Sequence, residues 1–114
     1  MSRDEGKLIS KTCQPCREGT APLEPEQWKP LLKQLDRWEV VGGHHLRKAY
    51  RFPDFRTALG FVNAVGELAE REGHHPELHL GWGRVEIEIW THKIDGLSEA
   101  DFVLAAKIDQ LRVA

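Results

Sequence analysis

The sequence predicts a single α+β domain of αββαββα order, in which a four-stranded antiparallel sheet is covered on one face by three helices. Two observations carry this. Apolar stripes of helical period alternate with pairs of short β-patterned segments, and each pair is joined by a glycine-containing turn that makes its strands antiparallel neighbours. The 114 residues are enough for one modest hydrophobic core but not for two.

Residues 1–22 show no sustained periodicity and read as an arm ahead of a domain over 23–114. The segment "LEPEQWKPLLKQL" then sets Trp28, Leu31, Leu32 and Leu35 at helical spacing. Pro25 suits the first turn of that helix, whereas Pro30 implies a distorted or later start. "RWEVVGGHHLRKAYRF" reads as a β-hairpin turning at Gly42-Gly43, with Leu46, Lys48, Tyr50 and Phe52 on one face and His44 and His45 solvated at the turn. Next, Phe55, Ala58, Leu59, Val62, Val65 and Ala69 recur at three- and four-residue steps. This pattern gives the longest helix, about 19 residues or roughly 28 Å. Pro53 fits its first turn, and Gly73 is placed to end it in a left-handed conformation.

A second hairpin follows, with Leu78, Leu80 and Trp82, a turn around Gly81 to Gly83, then Val85, Ile87 and Ile89 alternating with Glu86 and Glu88. The last helix opens on Ser98 and Asp101, a capping-box pattern, and carries Leu104, Ala105, Ile108 and Leu111 as its apolar stripe. One sheet face under the helices buries these stripes most simply, which leaves the other face or the edge strands for oligomerisation.

Composition narrows the function. Apolar residues make up 40% and charged residues 30%, an ordinary globular balance, and the net charge of -2 argues against a broad basic surface for nucleic acid. No apolar run approaches the roughly 20 residues that span a bilayer, and "MSRDEGKLISK" lacks the apolar region of a secretory signal. The cytoplasm is the expected compartment. Cys13 and Cys16 form a lone CxxC in a polar stretch, read as two reduced thiols on a weakly ordered arm rather than half a zinc site or a redox pair.

Three of the six histidines, His74, His75 and His79, fall within "EREGHHPELH". The pair His74-His75 sits just past a helix C-terminus, where the negative end of the dipole favours an imidazolium. Pro76 disfavours the helical geometry that would put His75 and His79 on one metal ion, and no cysteine is near in sequence. Acid–base work suits the pair better, because imidazoles near neutrality can hold a proton donor and an acceptor on one ligand. Glu70, Glu72, His92 and Asp101 are the candidate partner groups. A polar loop with solvated histidines is the plainer alternative.

The intervals add specificity. Glu70, then His74-His75-Pro76, Trp82, His92 and Asp101 follow one another at gaps of three, five, nine and eight residues. This pattern resembles the pterin-4a-carbinolamine dehydratase family, over about Leu23 to Leu111, with Trp38 and "GLSEADFVLAAKID" also in place. The resemblance implies the αββαββα fold already expected from periodicity. It also implies an activity, removal of water from the 4a-hydroxytetrahydropterin that an aromatic amino acid hydroxylase produces, which returns a quinonoid dihydropterin for recycling.

By position, His74 and His92 match the family's acid–base pair, and His75 the histidine that binds the pterin and assists proton transfer. Glu70 matches the leading acidic residue and Trp82 a pocket wall. Asp101 matches the trailing aspartate, though its place three residues after Ser98 also explains it as a helix cap; both roles stay open. Gly73 stands where some animal members carry aspartate, so Glu72 is the only carboxylate there to replace it. His79 lies outside the motif. The family implies no metal and no cofactor, with the pterin as substrate and a homodimer or homotetramer as the assembly. The alternatives it leaves are a binding module, like the animal members that act as dimerisation cofactors of a homeodomain factor, or an assembly or molybdopterin-related homologue with weak dehydratase activity.

Overall fold

The computed structural model describes residues 8–13 and 20–111. Its main elements are α1 (Pro25–Leu32), β1 (Glu39–Val41), β2 (His45–Arg51), α2 (Phe55–Glu72), β3 (Glu77–Gly81), β4 (Arg84–Ile89) and α3 (Glu99–Asp109). The four strands form one antiparallel sheet in the order β1-β2-β4-β3. The second strand of each hairpin therefore lies inside the sheet, and the α+β class expected from the patterning is the one observed.

Alternation along β4 divides the two faces. Val85, Ile87 and Ile89 are fully buried while Glu86 and Glu88 point the other way. Leu46 of β2 sits opposite Ile89 and joins the same core. Ala58, Phe61, Val65, Leu68 and Ala69 bring one stripe of α2 onto this face. Each large side chain so buried contributes about 1.5–3 kcal/mol. Helix α3 is buried well beyond its expected stripe, with Phe102 and Val103 also inside, because it packs against α1, α2, β2 and the turn Leu8–Ser10. The opposite sheet face is polar, with Arg47 held by Glu86 and Glu39 at 2.9 Å.

The end of α3 is fastened to the sheet by one carboxylate. Asp109 accepts from Trp38 Nε1 at 2.9 Å, from Lys48 Nζ at 2.8 Å and from the Tyr50 hydroxyl. Burial, followed by this carboxylate, pushes the Tyr50 hydroxyl far above its ordinary range.

Two helix boundaries differ from the expected ones. Pro30 lies inside α1, where it supplies no N–H to the preceding turn, and the helix stops at Leu32 instead of continuing to Leu35. Asp54, rather than Pro53, begins α2 by accepting the Thr57 N–H at 2.8 Å. At the other end Gly73 adopts φ 64°, as expected, and turns the chain toward β3. Nothing lies within 4 Å of a Cβ built there, so the constraint is the backbone conformation itself. Gly73→Ala is expected to cost about 1–2 kcal/mol, read as a lower melting temperature. An unchanged melting temperature would mean that the left-handed turn is not what requires glycine.

Within the arm, the described residue Leu8 departs from the expected weakly ordered character. Leu8 is 2% exposed and belongs to the core, and Cys13 is half-buried against it, while Ile9, Ser10 and Thr12 between them are exposed. Cys16 lies outside the described residues.

Candidate active site

Antiparallel pairing brings the histidines together. Glu77, which opens β3, pairs with Glu88 near the end of β4. The residues that precede β3, His74-His75-Pro76, thus emerge beside those that follow β4, Trp90-Thr91-His92. The N-terminus of α3 arrives at the same end of the sheet, because an isolated bridge between Thr91 and Gly96 closes the intervening loop into a short 3-10 turn, His92–Ile94. Between these segments lies a cavity of about 600 Å³ bordered by His74, His75, Trp90, His92, Lys93 and Cys13, among others.

His74 is the most constrained of the three. Its backbone N–H bonds Ala69 O at 3.2 Å, which fixes the chain at the helix end. Its Nε2 lies 2.6 Å from Oδ1 of Asp101, a carboxylate with no solvent exposure. The other oxygen of Asp101 accepts from Thr91 Oγ1 at 2.9 Å and from the Ser98 N–H at 2.8 Å. A carboxylate with these partners accepts only, so Nε2 carries the proton and Nδ1 is left as the variable nitrogen of the ring. Asp101 therefore caps α3 and fixes the His74 tautomer at once.

His75 is 62% exposed at its side chain, and its Nε2 is hydrogen-bonded to Glu70, itself at the surface. His92 stacks on Trp90 with ring centroids 4.3 Å apart and planes 25° from parallel. The first hairpin also reaches this pair. His44 and His45 lie 5.3 and 5.8 Å from the Trp90 ring, His44 Nε2 meets Asp95 at 2.8 Å, and His45 meets Glu88 at 3.3 Å. The hairpin histidines expected to be solvated thus lie against the tryptophan on which His92 stacks.

Glu72, the last residue of α2, also borders the cavity. Burial raises its carboxyl, but hydrogen bonds from Lys107 Nζ (2.8 Å) and the Cys13 N–H (3.0 Å) outweigh that and hold it below the usual carboxylate range.

Of the residues singled out from sequence, His74, His75 and His92 converge on the cavity. Asp101 lies behind His74, so its reach to a ligand runs through the imidazole rather than by contact. Glu70 sits outside the lining and holds His75 from the solvent side. Trp82 is displaced altogether. It occupies the β3–β4 turn, 70% exposed, at the opposite end of β4 from His92, a separation of about 20 Å along the strand. The aromatic wall is Trp90, which sequence reasoning missed. A signal existed: Trp90 stands two residues before His92, and two side chains at that spacing share a side where the residue between them is extended, as Thr91 is. His79 is on the outer sheet face, 3.2 Å from Glu88. Among the described residues no three His, Cys, Asp or Glu side chains converge as metal ligands.

Comparison with known proteins supplies a family and a fold for the chain. The family model for pterin 4 alpha carbinolamine dehydratase matches residues 21–111. The chain belongs to this family. A relative in Rubrobacter xylanophilus, named "Putative pterin-4-alpha-carbinolamine dehydratase", is 57% identical over 105 residues, covering 92% of this chain and 98% of the relative. The crystal structure of a transcriptional coactivator/pterin dehydratase from Brucella melitensis superposes with a TM-score of 0.72 at 32% identity, covering 77% of this chain and 95% of that one. A pterin dehydratase-like protein identified as a RuBisCO assembly factor in the alpha-carboxysome superposes at 0.55 with 27% identity, covering 63% of this chain and 84% of that one. Among the described residues no helix is long and apolar enough to cross a membrane.

Proposed function

We propose that this protein dehydrates 4a-hydroxytetrahydropterin to quinonoid dihydropterin by histidine acid–base catalysis, in support of tetrahydropterin recycling after an aromatic amino acid hydroxylase. The observation that carries the reading is the His74–Asp101 couple facing the same cavity as His92, in a chain of the dehydratase family. In the elimination, the C4a–O bond breaks and the hydroxyl leaves as water after gaining a proton, while a ring N–H loses one. One acid and one base therefore balance the reaction.

His74, with Nε2–H held by Asp101, presents Nδ1 as the proton acceptor. His92, stacked on Trp90, supplies the proton to the departing hydroxyl. His75, held by Glu70 at the mouth, binds the pterin and assists transfer. These are proton movements between imidazoles and substrate, so the reading calls for no cofactor and no metal. The partner is the pterin itself, and the compartment the cytoplasm. Phe55 and Leu59, one turn apart on α2 and 45% and 40% exposed, support a homodimer or homotetramer.

A binding or assembly role is the alternative, favoured by the likeness to the carboxysome assembly factor. The deciding experiment follows dehydration of freshly generated 4a-hydroxytetrahydropterin by absorbance, with a chelator present and the spontaneous rate subtracted. Acceleration that survives the chelator is expected. A folded protein that gives none overturns the dehydratase reading in favour of the binding one.

A further inference from the structure

The family match begins at residue 21, yet a segment before it reaches the cavity. Leu8 buries its side chain in the core, and its N–H bonds Gln34 Oε1 at 3.2 Å. Lys11 Nζ lies 3.2 Å from Glu99 at the start of α3. The Cys13 N–H bonds Glu72 Oε1 at 3.0 Å, and its sulfur lies 3.5 Å from the Ala100 carbonyl. Glu72 is in turn clamped by Lys107 at 2.8 Å. The segment thus bridges the last residue of α2 and the first turn of α3, two and one residues from His74 and Asp101 respectively.

We propose that the segment from Leu8 to Cys13 is an anchor that sets Cys13 into the wall of the ligand pocket, and that the Cys13 side chain limits the size of the substituent a bound pterin can carry. The proposal rests on the reading of the cavity as a pterin site. Three anchors at successive points of the segment fix it to the core, to α3 and to α2, and the third of them is a main-chain bond. The bond from residue 13 to Glu72 is therefore independent of the side chain that residue 13 bears. Burial first, and then the Glu72 charge, push the Cys13 thiol up to about 12. It is consequently a protonated, weakly polar surface at working pH rather than a nucleophile. A small side chain at this position leaves room that a larger one would fill.

The test uses the full chain and two dihydropterins, one with a methyl and one with a dihydroxypropyl group at C6, titrated by quenching of tryptophan fluorescence. Cys13→Leu is expected to weaken the dihydroxypropyl compound about 10-fold more than the methyl compound, and Cys13→Ala to shift the ratio the other way. Both variants keep the main-chain bond to Glu72, and if the leucine variant does not fold, the alanine variant decides. A ratio of the two dissociation constants unchanged from the wild type overturns the wall even where turnover is intact. Binding of both compounds with the expected shifts but no turnover supports the wall while the dehydratase reading fails. A wild-type protein that binds neither compound overturns both.

Discussion

His74→Ala is expected to lower the enzymatic rate of 4a-hydroxytetrahydropterin dehydration by about 10²–10⁴-fold, and His92→Ala by a similar factor. The argument for His74 is the stronger, because a carboxylate stands against one of its two ring nitrogens. Asp101 occupies Nε2, so only Nδ1 is free to exchange a proton with a ligand. His92 has no such carboxylate. Its ring is held by stacking on Trp90, which leaves both nitrogens free of hydrogen-bond partners among the described residues. If the two imidazoles work as acid and base in one step, the double variant should be little slower than either single one, since loss of one member already disables the pair. His79→Ala is the control. It removes an imidazole of the outer sheet face, paired with Glu88, and should leave the rate nearly unchanged. Initial rates corrected for the spontaneous reaction check all four variants. Rates within about threefold of wild type in both His74→Ala and His92→Ala would refute the acid–base roles.

Much of this architecture was legible in the chain. Periodicity found α2 and the second hairpin because each buries one face, Val85, Ile87 and Ile89 at period two and Ala58, Val65 and Ala69 at helical steps. Phe55 and Leu59 of the expected α2 stripe are exposed, however, and Phe61 and Leu68 take their place. Helix α3 is buried on nearly all sides, more than its stripe implies. Gly73 could be placed as the α2 stop because a left-handed residue there closes the helix. The three histidines could be assembled because their spacing matched a family, not because spacing reveals contact. What could not be read depends on tertiary placement. Trp82 and Trp90 are both tryptophans near strand ends, and only the hairpin register decides that Trp90 borders the same cavity as His75 while Trp82 lies at the far turn. The packing of Leu8 was hidden for a related reason, since a lone leucine in a polar stretch carries no period. His44 and His45 looked solvated because a hairpin turn usually is, yet this turn folds over the end of β4 and onto Trp90.

The second large effect is expected at Asp101, whose two roles separate by substitution. Asp101→Ala removes a buried carboxylate that serves the Ser98 N–H, the Thr91 hydroxyl and His74. Loss of the cap costs about 1 kcal/mol, and each buried donor left unpaired about 1–3 kcal/mol more. Thr91 can still bond Ser98 Oγ, 2.7 Å away, which offsets part of this. A net loss of about 2–4 kcal/mol, or roughly 10–20 °C in melting temperature, is the expected outcome. Asp101→Asn keeps the shape and an acceptor oxygen for the helix cap, so most of the stability should survive. Its amide can donate to His74 Nε2, which then holds the lone pair while Nδ1 keeps the proton. That inverted tautomer cannot accept a proton from the pterin, and turnover should fall by about 10²–10⁴-fold while the melting temperature changes little. Measuring kcat beside the melting temperature distinguishes the roles. An asparagine variant with wild-type kcat would confine Asp101 to capping α3. One that is folded but slow would make it the positioning residue for His74, the part of the mechanism that a buried side chain can perform without touching the substrate.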